Sequence, residues 1–197
     1  MGLFYTNITL YGANQQQVAQ HLKTLGRVAY VSPTIDSFTV VYDMQTEDQN
    51  EQELIDLACG LSRAFRCSAL AALVHDSDVF AYWLCELGKL KDKYNSAPTY
   101  FDSHVAPSPP SGGKSKTLCK AFRRKQATED VRRIFESVKA DSLDDDRSPD
   151  YLFAEDIHRE LVAALGMPTF AAVAGYYVIE NGEMPEGLDR AALSRCT

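Results

Sequence analysis

The chain has 197 residues, 45% apolar and 24% charged, and a formal net charge of −7 from 20 basic and 27 acidic side chains. That length suits one large domain, or one domain with a smaller companion, and supplies apolar residues for a sizeable core. The acidic excess repels phosphate backbones and argues against a general nucleic-acid binder. The absence of an apolar run near 18 residues, and of a basic-then-apolar leader, argues against a membrane span or secretory signal.

Residues 3–11 alternate, with Phe4, Ile8 and Leu10 on one face and Tyr5, Asn7 and Thr9 on the other, which predicts a strand with one covered face. Asn14 and Gln17 have capping-box spacing, Val18, Leu22 and Leu25 follow at helical intervals, and Gly26 supplies a stop. Residues 27–31 and 37–42 read as a hairpin around the loop Ser32 to Asp36. A helix over 52–66 carries the stripe Leu54, Leu57, Ala58, Leu61 and Phe65, and a buried strand over 69–74 closes the series. Strand, helix, strand, strand, helix, strand is the ferredoxin-like βαββαβ order. Two more strands, 79–86 and 89–94, follow short turns and should extend the sheet antiparallel. Lys89, Lys91 and Lys93 on one face of the last strand read as protection of an edge.

From Asp102 the composition changes: Pro107, Pro109, Pro110, Gly112 and Gly113 predict a flexible connector. Beyond it the periodicity is helical over about 118–125, 129–139, 150–165 and 169–181, with a short helix after Asp189. The expectation is therefore an α+β protein. A ferredoxin-like domain spans 1–101, a connector 102–117, and a helical region 118–197. That region should pack on the sheet face carrying Tyr5 and Tyr11, because eight stripe residues need a large apolar partner.

The motifs favour their plain readings. Ser111 to Ser115 ends like a phosphate loop, but Ser108 stands where a glycine is needed and prolines precede it in place of a strand. Leu3 to Ile8 looks like an RNA-recognition signature, yet residues 37–42 lack the basic residue and glycine of its partner motif. Asp144, Asp146, Ser148, Asp150 and Glu155 have calcium-loop spacing, but Pro149 occupies the position that must turn with φ > 0. The basic run Lys114, Lys116, Lys120, Arg123, Arg124 and Lys125 reads as a solvated helix face answering the acids at 141–150. Five cysteines without a CxxC pair, mostly in apolar surroundings, read as reduced buried thiols. His21 and His158 read as packed or rim residues.

The sharpest candidates for chemistry are His75, Asp76 and Asp78 at a strand–strand turn, with Tyr94, Asn95 and Tyr100 completing a candidate cleft and Asp43 as a possible neighbour. A histidine with two carboxylates suits a divalent metal or a general base. Turn-forming side-chain bonds are the competing and favoured explanation. No GxSxG, HExxH or Cys–His signature is present, so no catalytic residue, metal ligand or cofactor is assigned.

His75-Asp76-Ser77-Asp78, Tyr94 to Phe101, and Gly175-Tyr176 with Gly182 to Leu188 resemble a family of bacterial proteins that has no established activity. The resemblance implies a bacterial, cytosolic protein whose helices belong with its sheet, and it carries over no site residue. The expected function is a non-catalytic binding or protein-interaction module, a regulator or immunity-type protein. The alternative is a metal-dependent or hydrolytic enzyme at the His75–Asp78 turn. A protein partner or small molecule is expected, without nucleic acid or membrane, in the cytoplasm.

Overall fold

A computed structural model describes residues 2–102, 104–142 and 150–197. The first unit runs β1 (Tyr5–Tyr11), α1 (Gln15–Thr24), β2 (Ala29–Val31), β3 (Phe38–Asp43), α2 (Glu51–Phe65) and β4 (Ser68–His75). Local chemistry fixes the helix starts. The Asn14 side chain accepts from the Gln16 and Gln17 amides, and the Asn50 side chain accepts from Glu53 N, each satisfying donors with no intrahelical partner. β5 (Val79–Glu86) and β6 (Lys89–Asn95) follow by tight turns. Then come β7 (Ser111–Gly112), α3 (Ser115–Ala121), α4 (Thr128–Asp141), α5 (Ala154–Ala164), α6 (Tyr176–Glu180) and β8 (Ser194–Cys196).

Among the described residues the eight strands form one antiparallel sheet in the order β7-β6-β5-β4-β1-β3-β2-β8. Both of its faces are covered. Ile8, Leu10, Val41, Leu73 and Trp83 pack with Val18 and Leu22 of α1 and Leu54 and Leu61 of α2. On the other face Tyr5, Tyr42, Phe80, Tyr82 and Tyr94 share a core with Phe122, Phe135, Ile157, Leu161 and Phe170 from the later helices and loops. Burying side chains of this size contributes about 1.5–3 kcal/mol each, so the second layer is a large part of what holds the sheet.

Several expectations are corrected. β1 is buried on both faces, from Tyr5 to Leu10, where its alternation taken alone predicts one covered face; residues of the later helices pack on the face that carries Tyr5. The connector is not wholly free: Gly112 and Ser111 pair with Tyr94 and Asn95 as β7. Gly112 has φ +82°, and a Cβ there would lie 2.0 Å from Lys93 O, so only glycine allows this close approach. α5 begins at Ala154, four residues later than the start expected at Asp150, leaving Phe153 outside the helix as its cap residue. The helix expected over 169–181 is broken into a single turn at Thr169–Ala171, an extended stretch, and the short α6. β8 pairs with β2 and has no alternating signal in its three residues.

Cysteine usage is also corrected. Cys59 of α2 and Cys85 of β5 form a disulfide, with Cα atoms 5.1 Å apart, while Cys67, Cys119 and Cys196 are free and buried. Spacing in sequence gives no sign of a helix–strand pair separated by 26 residues that meets only after the sheet forms. No helix among the described residues is long and apolar enough to cross a membrane.

Candidate functional site at the aromatic end of the sheet

The β4–β5 connection organises one end of the molecule. Asp78 N donates to His75 O at 3.0 Å across Asp76 and Ser77, whose φ values are +50° and +59°. Two left-handed central residues match the twist of the flanking strands, and Asp tolerates that conformation better than most residues. The turn then acts as a tether. Asp76 Oδ1 accepts from Gly2 N at 3.0 Å, Ser77 Oγ accepts from Leu3 N at 2.8 Å, and Ser77 O accepts from Ala154 N at 2.7 Å. The turn thereby draws the chain start and the first residue of α5 to one place.

His75 sits among three aromatic rings. Its ring lies edge-on to Phe4 at 4.8 Å, Phe101 at 4.8 Å and Tyr100 at 5.7 Å between centroids. Its Nδ1 is 2.5 Å from Gln49 Oε1, an acceptor, so Nδ1 carries the proton; Gln49 Nε2 donates in turn to Val74 O at 2.8 Å. Tyr100 donates its hydroxyl to Asp78 Oδ2 at 2.9 Å, and that bond holds its phenol pKa up. The rings around His75 stay open to solvent: Phe4 is 45%, Tyr100 40% and Phe101 66% exposed. Leu152 and Phe153, 74% and 53% exposed, flank a shallow depression with Ser77 and Asp78. The segments 2–4, 75–78, 95–102 and 152–156 contain Asp76, Asp78, Asp102, Glu155 and Asp156 and no lysine or arginine; Glu155 is buried and Asp156 is paired with Arg159 at 2.6 Å, so the acidic rim is Asp76, Asp78 and Asp102.

Of the residues expected in a cleft, His75, Asp76, Asp78 and Tyr100 share this end. Tyr94 instead points into the second core face, stacked on Phe135 at 4.6 Å with its hydroxyl unpartnered, and Asn95 Oδ1 accepts from Ala97 N at 2.9 Å. The two carboxylates do not converge on the imidazole, since Asp76 turns to Gly2 and Asp78 to Tyr100. Asp43 lies elsewhere, in a bidentate pair with Arg27. Among the described residues no group of three His, Cys, Asp or Glu side chains could hold a metal ion. Asp144, Asp146 and Ser148 of the calcium-like spacing lie outside the described residues. Glu155, its last member, is buried and accepts from Ser77 Oγ at 3.2 Å.

Phe4, Phe101, Leu152 and Phe153 were not expected at the surface. Tyr100-Phe101 carries a local signal, two adjacent large apolar residues in a stretch without strand or helix period, whereas Leu152-Phe153 lies within the span whose periodicity is helical.

The remaining titratable groups near this face serve the fold. His158 of α5 is buried, with Nδ1 3.0 Å from Tyr5 Oη and its ring stacked on Phe80. Burial, assisted by the Arg159 charge, lowers its pKa to about 3 and keeps it neutral. The same burial raises the Tyr5 phenol. Glu47 accepts from Thr6 N at 3.2 Å and Tyr176 N at 3.0 Å, yet desolvation outweighs those bonds and pushes its pKa up to about 7. Burial likewise raises the Cys67, Cys119 and Cys196 thiols, which disfavours a reactive thiolate.

Compared with models of protein families, with curated proteins and with solved structures, the chain matches none of them.

Proposed function

We propose that this protein is a non-catalytic protein-interaction module that docks a basic, apolar-anchored partner on the aromatic end of its sheet. The observation that carries the reading is the coincidence of five exposed large apolar side chains, Phe4, Tyr100, Phe101, Leu152 and Phe153, around a turn flanked by acids and free of lysine and arginine. Contiguous exposed apolar surface rimmed by one sign of charge is how interaction sites differ from ordinary surface. A second copy of the same end would bring acid against acid, so the complementary partner is cationic. A metal or hydrolytic site at His75–Asp78 has less support, because its carboxylates diverge into hydrogen bonds with Gly2 N and Tyr100.

Three companion expectations belong to the same reading. The βαββαβ unit is a ferredoxin-like core, supported by the contiguous run β4-β1-β3-β2 within the sheet. The resemblance at residues 75–78, 94–101, 175–176 and 182–188 supports a bacterial origin. A cytoplasmic location is testable through Cys59–Cys85, which a reducing compartment would hold as two thiols.

The test is photo-crosslinking in the native host with a reactive residue at position 101, and at exposed Leu87 at the far end of β5 as control. A discrete adduct to a basic protein at 101 and none at 87 is expected. Equal labelling at both positions, or an acidic partner at 101, would refute the proposal.

A further inference from the structure

A second concavity lies away from the aromatic end, between α5 and the segment that crosses the second face after it. It encloses about 430 Å³ and has an apolar floor of Val162, Met167, Val173, Val178 and Met184. That volume is in the range of small-molecule sites, which are commonly apolar with a few placed polar groups. Its polar groups are unevenly paired. The Arg159 guanidinium is already engaged by Asp156 at 2.6 Å, while the side chains of Glu183 and Glu186, also at the wall, have no cationic partner among the described residues.

The inner wall is held in an unusual backbone shape. Val173 has φ +60°, a conformation costly for a β-branched residue and retained only where its surroundings enforce it. Four buried or half-buried polar groups of the core enforce it from beneath. Asn7 Nδ2 donates to Ala171 O at 3.1 Å and Ala174 O at 2.9 Å, Tyr5 bonds the Val173 backbone, and Glu47 accepts from Tyr176 N. His158 completes the set through Tyr5. A Cβ at Gly175 would lie 2.2 Å from Glu47 Oε1, so a side chain at the crossing would displace that carboxylate from its hydrogen bonds. So much internal polar bonding spent on one short extended stretch makes the pocket wall rigid before any ligand arrives, and rigid walls cost less binding free energy to fill.

We infer that this concavity is a binding site for a small organic cation with an aliphatic body, its ammonium group set against Glu183 and Glu186 and its chain against Val162, Met167, Val173 and Val178. The assignment of charge follows from the pairing: among the described lining residues Arg159 is paired with Asp156, and the carboxylates of Glu183 and Glu186 are left for a cation. The net charge of −7 favours approach of a cation to any part of the surface. Among the described residues no aromatic ring lines the floor, so selectivity for a quaternary ammonium by a ring cage is not expected.

The probes are n-octylammonium, octanoate and n-octanol, titrated calorimetrically into the full chain. Saturable one-to-one binding of octylammonium is expected, about tenfold tighter than octanol, with octanoate weakest. Both glutamates are exposed, so the double variant Glu183→Gln/Glu186→Gln should keep the wild-type melting temperature and bring octylammonium to the octanol affinity. Val178→Phe, which fills the floor, should weaken octylammonium and octanol alike. Octanoate binding as tightly as octylammonium, octylammonium binding unchanged in the double glutamine variant, or no binding of any probe at millimolar concentration would each overturn the assignment.

Discussion

Lowering the pH from 6.5 toward 3 asks His158 to take up a proton at a buried position. In the unfolded chain the imidazole has its ordinary pKa of 6.5, and in the folded protein burial lowers it to about 3. The native state therefore binds the proton less readily. The stability this contributes is fully present above 6.5 and is lost as pH falls toward 3. Each unit of difference corresponds to 1.36 kcal/mol, so the whole window amounts to roughly 4–5 kcal/mol as an upper bound, a large fraction of a domain's ~5–15 kcal/mol. Glu47 works in the opposite direction. Its carboxyl goes from an ordinary 4.5 to about 7 on folding, so the folded state holds that proton more tightly. Its contribution is present below 4.5 and is lost as pH rises through 7. Glu47 is only half-buried, so its share is the smaller, on the order of 1–3 kcal/mol. Urea unfolding at a series of pH values for wild type, Glu47→Gln and His158→Gln separates the two. Removing the Glu47 titration should steepen the acid loss between pH 6.5 and 4.5, and removing that of His158 should leave stability falling from 4.5 to 7. Parallel pH profiles for wild type and His158→Gln would refute the reasoning.

Arg27→Met should cost about 3–5 kcal/mol, because it strips the guanidinium from Asp43, which is 1% exposed; chemical denaturation measures it, and a loss under 1 kcal/mol would count against a buried pair. Reducing Cys59–Cys85 should lower stability by about 3–4 kcal/mol for its 26-residue separation, read as the shift in unfolding midpoint with and without reductant. Gly175→Ala should lower the melting temperature and weaken octylammonium binding together, since the new methyl displaces Glu47 and with it the wall at Val173. Phe101→Ser should leave the melting temperature unchanged, because that ring is 66% exposed, while abolishing crosslinking from a probe placed at Tyr100.

Much of the first hundred residues is legible because each strand and helix there carries its own period and its own stop. β5 begins and ends where its apolar run and flanking turn residues place it, and Asn14 announces the helix it caps, whereas the cap at Asn50 is seen only in the structure. Beyond residue 102 the signals are tertiary. Val173 leaves the helical region because Asn7, 164 residues away from Ala171, takes two of its segment's carbonyls. β8 exists because β2 offers an unpaired edge, and no property of Ser194–Cys196 itself predicts that. At the candidate site, the turn chemistry of Asp76 and Asp78 is readable as such. The rings that surround His75 come from two distant segments, and nothing local in Phe4 or Phe101 says that they meet.

The docking surface is tested most directly by affinity selection from a displayed library of random peptides, using wild type and Phe4→Ser/Phe101→Ser side by side. Wild type should enrich peptides that join lysine or arginine to an aromatic or aliphatic anchor, with binding that weakens as salt rises, and the double variant should enrich none of them. Acidic or purely polar peptides selected by wild type, or the same basic peptides recovered equally on the double variant, would contradict the account.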